Sequence, residues 1–464
     1  MEKPFACWSA ALCLLAATSV RAETKLESTL LTAVRDAHFA DVVDFGAGNE
    51  ERPVSGLKNS PAQKIAHPPN VNVAVLQLDG QGNLVDRACV ILSRDYPAGL
   101  IVPLDKNLDT TNIRFLRWDI DRSNGGKFSS DGNRISTKGW TNNPPLTEAD
   151  ELVPGQTNAP YQFMAPYPAS LFKSMVAFHV MRMIDASKLS LDSEYNFQPI
   201  GAKPDSRKIR VWLDAMITVS DNLATQALLK MFHDQNEIES LNREFRELNL
   251  PTLQINGTDP KNGRGWDTAK ITLTAWDIAR MFWLIDGGAK NFWNDANGQP
   301  ITEKILSEDS RAFLKKILSE QGFNNGLTTA NFPGTKNVPP GIPSRVADRW
   351  INPTNGHAIV DGDDFGVDIR AANAQAEVNF AHKTGWTFNY GADAGIVTSL
   401  PKKPFRHYII AFVANLGQRY TDEIFAERKT FPDSDGVPIF YTQKIPALGK
   451  AVDDALVKLS AGKE

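Results

Sequence analysis

Residues 166–180 read PYPASLFKSMVAFHV, and one lysine in this stretch decides how the chain is understood. Two prolines and an alanine lead into Ser170, Lys173 follows three places on, and most of the remainder is apolar. Lysine is among the residues least often fully buried unless a partner holds it. A lysine one helical turn from a serine, on a segment otherwise fit for a core, asks for a chemical reason.

Helical periodicity starts at Ala169 and continues through IRVWLDAMI, LATQALLKMF, IESLNREFREL, ITLTAWDIARMFWLI and SRAFLKKIL. Upstream, residues 27–44 carry a helical pattern, and VNVAVLQLDGQGNLVDRACVIL reads as two strands turning at Gly80–Asn83. IRFLRWDID alternates like a further strand. Ser123 to Pro168 is rich in Gly, Asn, Ser, Thr and Pro, an extended connection or an insertion. Residues 321–376 share that character and predict a loop-rich insertion. Strand-like runs return in VNFAHKTG, AGIVTSL and HYIIAFVANL, and an amphipathic helix closes the chain from about Ala447 to Ser460. Strands early and late with helices between predict an α/β fold, its sheet made from both ends of the chain and a helical lobe inserted.

With 464 residues, 42% hydrophobic and 22% charged, the chain has the profile of a soluble globular protein with ample core. A net charge of −4 and no long basic run argue against a nucleic-acid partner. The N-terminus, MEKPFACWSAALCLLAATSVRAE, has Lys3, an apolar run from Phe5 to Ala17, and short residues at Val20 and Ala22. It predicts a signal peptide cleaved after Ala22 and a secreted or periplasmic protein. The run falls short of the roughly 20 residues a membrane span needs, and no later segment reaches that length, so no stable membrane span is expected. Cleavage would leave Cys89 alone, in the strand-like ACVIL, as a buried small hydrophobe with no intrachain disulfide.

Ser-x-x-Lys occurs at Ser55/Lys58, Ser170/Lys173, Ser399/Lys402 and Ser460/Lys463, and of these only Ser170 opens a strongly apolar helix. Pro168 suits the first helical turn, which would put Ser170 where free N–H groups and the helix dipole favour developing negative charge. Lys173 at i+3 lies on the same face. A neutral lysine there can take the serine proton and make the hydroxyl a nucleophile. At the ordinary lysine pKa of about 10.4 almost none is neutral at pH 7, so burial or a second cation must lower it.

Two later triplets supply companions: Ser220-Asp221-Asn222 between two helical runs, and Lys383-Thr384-Gly385 at a strand end. Singly, each has a bland reading: a snorkelling lysine, a helix cap, a strand-end turn. In this order, on helix, interhelix loop and strand, they resemble the active-site serine penicillin-recognising family, the class A-like β-lactamases and D,D-peptidases, over about residues 161–460. The resemblance implies a β-lactamase/transpeptidase-like fold, an antiparallel sheet flanked by helices with an all-helical lobe and the site between them. The chain then divides into a signal peptide (1–22), an enlarged N-terminal region (23–160) with room for a small extra domain, and a hydrolase domain (161–464). The insertion near 321–376 precedes the Lys383 strand and is expected to lie over the site.

Carried onto this sequence, the family pattern implies that Ser170 is acylated, Lys173 accepts its proton and Ser220 relays a proton to the departing nitrogen. Asn222 would hold the substrate's amide side chain. Lys383 would steady a substrate carboxylate and lower the pKa of Lys173, with Thr384 bonding that carboxylate and Gly385 keeping the strand edge open. Backbone N–H groups of Ser170 and Trp386 would form an oxyanion hole. The implied activity is hydrolysis of a β-lactam amide, an antibiotic-resistance function. A D,D-carboxypeptidase or esterase on the same fold, acting on a peptidoglycan-derived substrate, and a non-turnover penicillin-binding sensor stay open.

The family's water-activating Glu-x-x-Leu-Asn does not occur: Glu247-Leu248-Asn249 has Phe245 where the glutamate would stand. Context puts Asp259-Pro260 at the position instead, with Asp259 as candidate base and a plain turn residue as the competing reading. No zinc motif, cysteine set or phosphate loop appears, so neither a metal nor another cofactor is expected. His382 should point away from Lys383 by strand alternation and be structural.

Overall fold

The computed structural model describes residues 23–44, 63–65, 67–118, 147–425 and 441–461. Residues 1–22, where a signal peptide is expected, Ser55/Lys58 and residues 119–146 of the polar connection lie outside the described residues.

The main sheet has six antiparallel strands: β1 (Val71–Leu78), β2 (Leu84–Leu92), β3 (Leu100–Ile101), β4 (Val378–Trp386), β5 (Gly391–Ser399) and β6 (His407–Ala414). Their spatial order is β4-β5-β6-β1-β2-β3, so the early hairpin joins the late strands through the β6–β1 pair, with Ala411 opposite Ala74. Residues 71–101 thus supply half of the sheet, and this part of the chain is built into the main fold. The hairpin turns at Gly82, whose φ of +83° and close approach to Gly287 O leave no room for a side chain.

Both faces of the sheet are covered, which is why its strands read as near-continuous apolar runs. On one face Ala74, Leu76, Cys89, Ile91, Ala394, Ile409 and Ala411 meet the helical side. On the other Val73, Val75, Val90, Val397, Ile410 and Phe412 pack under two terminal helices, α1 (Lys25–Asp36) and α8 (Lys444–Ala461).

The lobe consists of α2 (Lys173–Asp185), α3 (Ile209–Thr218), α4 (Asn222–Asp234), α5 (Ile238–Glu247), α6 (Ala275–Asp286) and α7 (Glu308–Ser319). Every residue of α6 is buried, and Arg280 is paired with Asp277 inside it, its Nη2 donating to Asp277 Oδ1 at 2.6 Å. Residues 321–376 hold a hairpin (His357–Val360 with Asp363–Asp368), a short helix (Arg370–Gln375) and a small core of their own around Phe332, Val346, Val360 and Phe365.

Two expectations need correction. The helical pattern of 27–44 stops at Asp36: His38 adopts a left-handed φ of +51°, and Val42–Asp44 form a strand paired with Tyr420–Asp422. The β-branched pair Val42-Val43 favours that extended state. Ser170 does not lie in the first turn of an α-helix either, as described next.

Candidate active site

Where the lobe meets edge strand β4, Ala169–Phe172 form a 3-10 turn, and α2 begins only at Lys173. Ala169 is held at φ +47°, a strained conformation for a residue with a Cβ. The tighter turn matters, because with three residues per turn i and i+3 eclipse, bringing Ser170 and Lys173 more nearly into line than an α-helix would. Gly385 explains how β4 comes so close. A Cβ there would meet Pro168 O at 2.3 Å, Leu171 N at 2.6 Å and Ser170 N at 3.0 Å. Its missing side chain makes room for the chain's own serine turn.

Lys173 and Lys383 are both fully buried and Ser170 half-buried. Lys173 Nζ donates to Ser220 O (2.6 Å), Ser220 Oγ (3.2 Å) and Asn222 Oδ1 (2.8 Å). Lys383 Nζ donates to the same Ser220 Oγ (3.0 Å) and to Thr384 O (2.8 Å). Ser220 sits between α3 and α4 with φ +57°, and Asp221 caps α4 by accepting from Leu223 N and Ala224 N.

Burial pushes the Lys173 amine down to about 7, with Asp221 opposing. Lys383 is pushed well below its ordinary value by burial and then by the charge of Lys173, with Asp393 opposing. Of the causes expected for Lys173, burial leads, because a cation without water is disfavoured whatever its neighbour. Ammonium repulsion is felt at Lys383.

The remaining candidates are placed as follows. Asn222 is exposed beside the cluster and accepts from Lys173 through Oδ1. Thr384 is buried and lies opposite Asp393 in the β4–β5 register. Trp386 stacks on Tyr441 and leans over Gly391, its register partner, where a Cβ would touch the ring at 2.3 Å. Trp266 packs on Phe172 beside the serine turn.

Asp259 is not brought into the cluster. Its Oδ1 accepts from Lys261 N (2.9 Å) and its Oδ2 from Asn262 Nδ2 (2.6 Å), closing its own turn. Among the described residues no hydrogen bond joins it to Ser170, Lys173, Ser220 or Lys383. Sequence reasoning also missed a buried pair behind Lys383: His382 Nδ1 lies 2.7 Å from Asp393 Oδ1, both side chains without solvent exposure. Alternation along β4 put His382 on the far face, but no local signal named its partner. Among the described residues no cluster of His, Cys, Asp and Glu could hold a metal ion, and no helix is long and apolar enough to cross a membrane.

A serine–lysine turn facing a second serine and a second lysine, where an antiparallel sheet meets a helical lobe, is the arrangement of the serine penicillin-recognising proteins. A family model described as the beta-lactamase enzyme family matches residues 162–426, more than half of the sequence, and the chain belongs to that family. Among solved structures it is similar to PBP-A (18% identity, 63% of this chain and 82% of that one, TM-score 0.38). Others are a β-lactamase from Chitinophaga pinensis (18%, 64% and 86%, TM-score 0.37) and the TLA-1 extended-spectrum β-lactamase (15%, 84% and 94%, TM-score 0.41). No curated protein matches it in sequence.

Proposed function

We propose that this protein is a serine hydrolase that opens a β-lactam amide through an acyl-enzyme on Ser170. The observation that carries the reading is the double acceptance at Ser220 Oγ from Lys173 and Lys383. A hydroxyl oxygen offers two lone pairs and one hydrogen. With both lone pairs taken by buried amines, the hydrogen is left to be donated outward, toward a departing nitrogen. Lys173 in its neutral form turns its lone pair to the Ser170 hydroxyl and takes the proton as the Ser170 oxygen attacks the carbonyl. That proton passes through Ser220 to the amide nitrogen as its bond to carbon breaks. Backbone N–H groups at Ser170 and Trp386 would stabilise the oxyanion, each worth on the order of 3 kcal/mol. Lys383, with Thr384, would attract a substrate carboxylate, and Asn222 an amide side chain.

A second reading has one observation in its favour. Asp259 is engaged in its own turn and has no hydrogen bond to the cluster among the described residues, and slow release of the acyl group would make the protein a D,D-carboxypeptidase-like enzyme or a sensor. Time-resolved labelling by a fluorescent penicillin tests both. Labelling of Ser170 with prompt release supports the hydrolase, persistent labelling supports the second reading, and a wild-type chain left unlabelled while Ser170→Ala behaves identically excludes both. Export is part of the proposal: a mature chain beginning at Glu23 is expected in the periplasm or medium, and an unprocessed chain retained in the cytoplasm would remove it.

A further inference from the structure

We propose that residues 321–327 form a strap that fixes the Ser220 loop to the Lys383 strand from behind, with Asn324 as its positioning residue. The strap rests on the proposed function for its catalytic meaning and on geometry for its existence. At one end it completes α3. Gln321 Nε2 donates to Ile217 O (2.8 Å) and Gly322 N to Thr218 O (2.8 Å), satisfying the open carbonyls at that helix end two residues before Ser220. A Cβ at Gly322 would lie 2.4 Å from Val360 and 3.2 Å from Thr218 O, so the segment is pressed against the loop.

At the other end it grips β4 and β5. Asn324 Nδ2 donates to Gln321 O (2.8 Å) and Gly322 O (3.2 Å), which leaves Oδ1 facing His382 Nε2 at 3.2 Å. His382 in turn is held by Asp393, whose second oxygen accepts from Leu327 N at 3.0 Å. Gln321, Asn324, His382 and Asp393 are all buried. The Ser220–Lys383 bond in front is thereby closed into a ring by a second path, from Thr218 through 322 and 324 to His382, the neighbour of Lys383. Two rigid paths hold a separation that one hydrogen bond between flexible side chains would leave loose. The insertion expected to lie over the site thus acts, in its first residues, as a brace beneath it.

The test separates binding from chemistry in the full-length chain by stopped-flow labelling of Ser170 with a fluorescent penicillin. Asn324→Ala is compared with Phe332→Ala, which loosens the insertion's own core without removing any of the strap's hydrogen bonds. The acylation rate constant is expected to fall about 10- to 100-fold in Asn324→Ala with Kd little changed, and by less than about threefold in Phe332→Ala, a misplacement effect rather than a loss of stability. Equal losses in the two variants overturn the proposal. Should Asn324→Ala not fold, Asn324→Ser takes its place with the same expectations. If the wild-type chain is not labelled at all, the proposed function fails, and the strap is read by amide exchange at Val219–Asn222. Exchange there should be at least about tenfold faster in Asn324→Ser, and unchanged exchange overturns the strap.

Discussion

Lys173 and Lys383 meet on one atom: their amines lie 3.2 and 3.0 Å from Ser220 Oγ, in a place that excludes solvent from both. Two cations beside one neutral acceptor and without water are each disfavoured by burial, and the charge of Lys173 adds to the effect at Lys383. The behaviour of the site follows from that convergence and from the turns that hold it.

Removing the shared acceptor should hurt both chemistry and fold. Ser220→Ala is expected to slow Ser170 acylation about 100-fold or more by losing the relay. It should also cost about 1–3 kcal/mol, because two buried amines each lose a bond. Labelling rates and a urea midpoint measure the two effects, and acylation close to the wild-type rate would remove Ser220 from the proton path.

The pH dependence has a definite sign. The reactive amine is the neutral one, so acylation should rise with pH, about tenfold per unit below the midpoint, and level off above a midpoint near 7, the value to which burial brings Lys173. Because desolvation sets that value, Lys383→Gln should lower the rate and leave the midpoint within about one unit. A much larger displacement of the midpoint would make the second ammonium the controlling charge.

Gly385→Ala tests the close approach of β4 to the serine turn. The added methyl meets three backbone atoms of residues 168–171 within 3.0 Å, and backbone cannot rotate aside. We expect a loss of about 1–3 kcal/mol, the usual cost of overpacking, seen as a lower denaturation midpoint. Acylation should fall about 100-fold as Ser170 is displaced, and wild-type labelling would show the turn to be adaptable.

For Asp259 the expectation is a structural effect alone. Asp259→Asn gives up carboxylate acceptance within its turn, so stability should fall by about 1 kcal/mol or less while acyl release changes less than about twofold. Release slowed tenfold or more, followed by loss of label over time, would restore it as the base.

Much of this was legible in order along the chain. The periodicities of α2 to α7 and the alternation of β1, β2 and β4 to β6 announce themselves, because a helix or strand must bury its own apolar stripe. Ser170, Lys173, Ser220 and Lys383 were found because their spacing on those elements is a local property. Asp259 shows the limit: a turn carboxylate and a base look alike in sequence, and its hydrogen bonds to Lys261 and Asn262 appear only in the fold.

The sequence by itself determined which elements form and where the motif residues Ser170, Lys173, Ser220 and Lys383 stand on them, since helical and strand periods and motif order are written in neighbouring residues. Tertiary structure alone decided that Lys173 is depressed by burial, that Gly385 makes room for the serine turn, and that Asn324 reaches His382. Each depends on atoms far apart in the chain, whose desolvation and contact exist only after the sheet and the lobe have closed on one another.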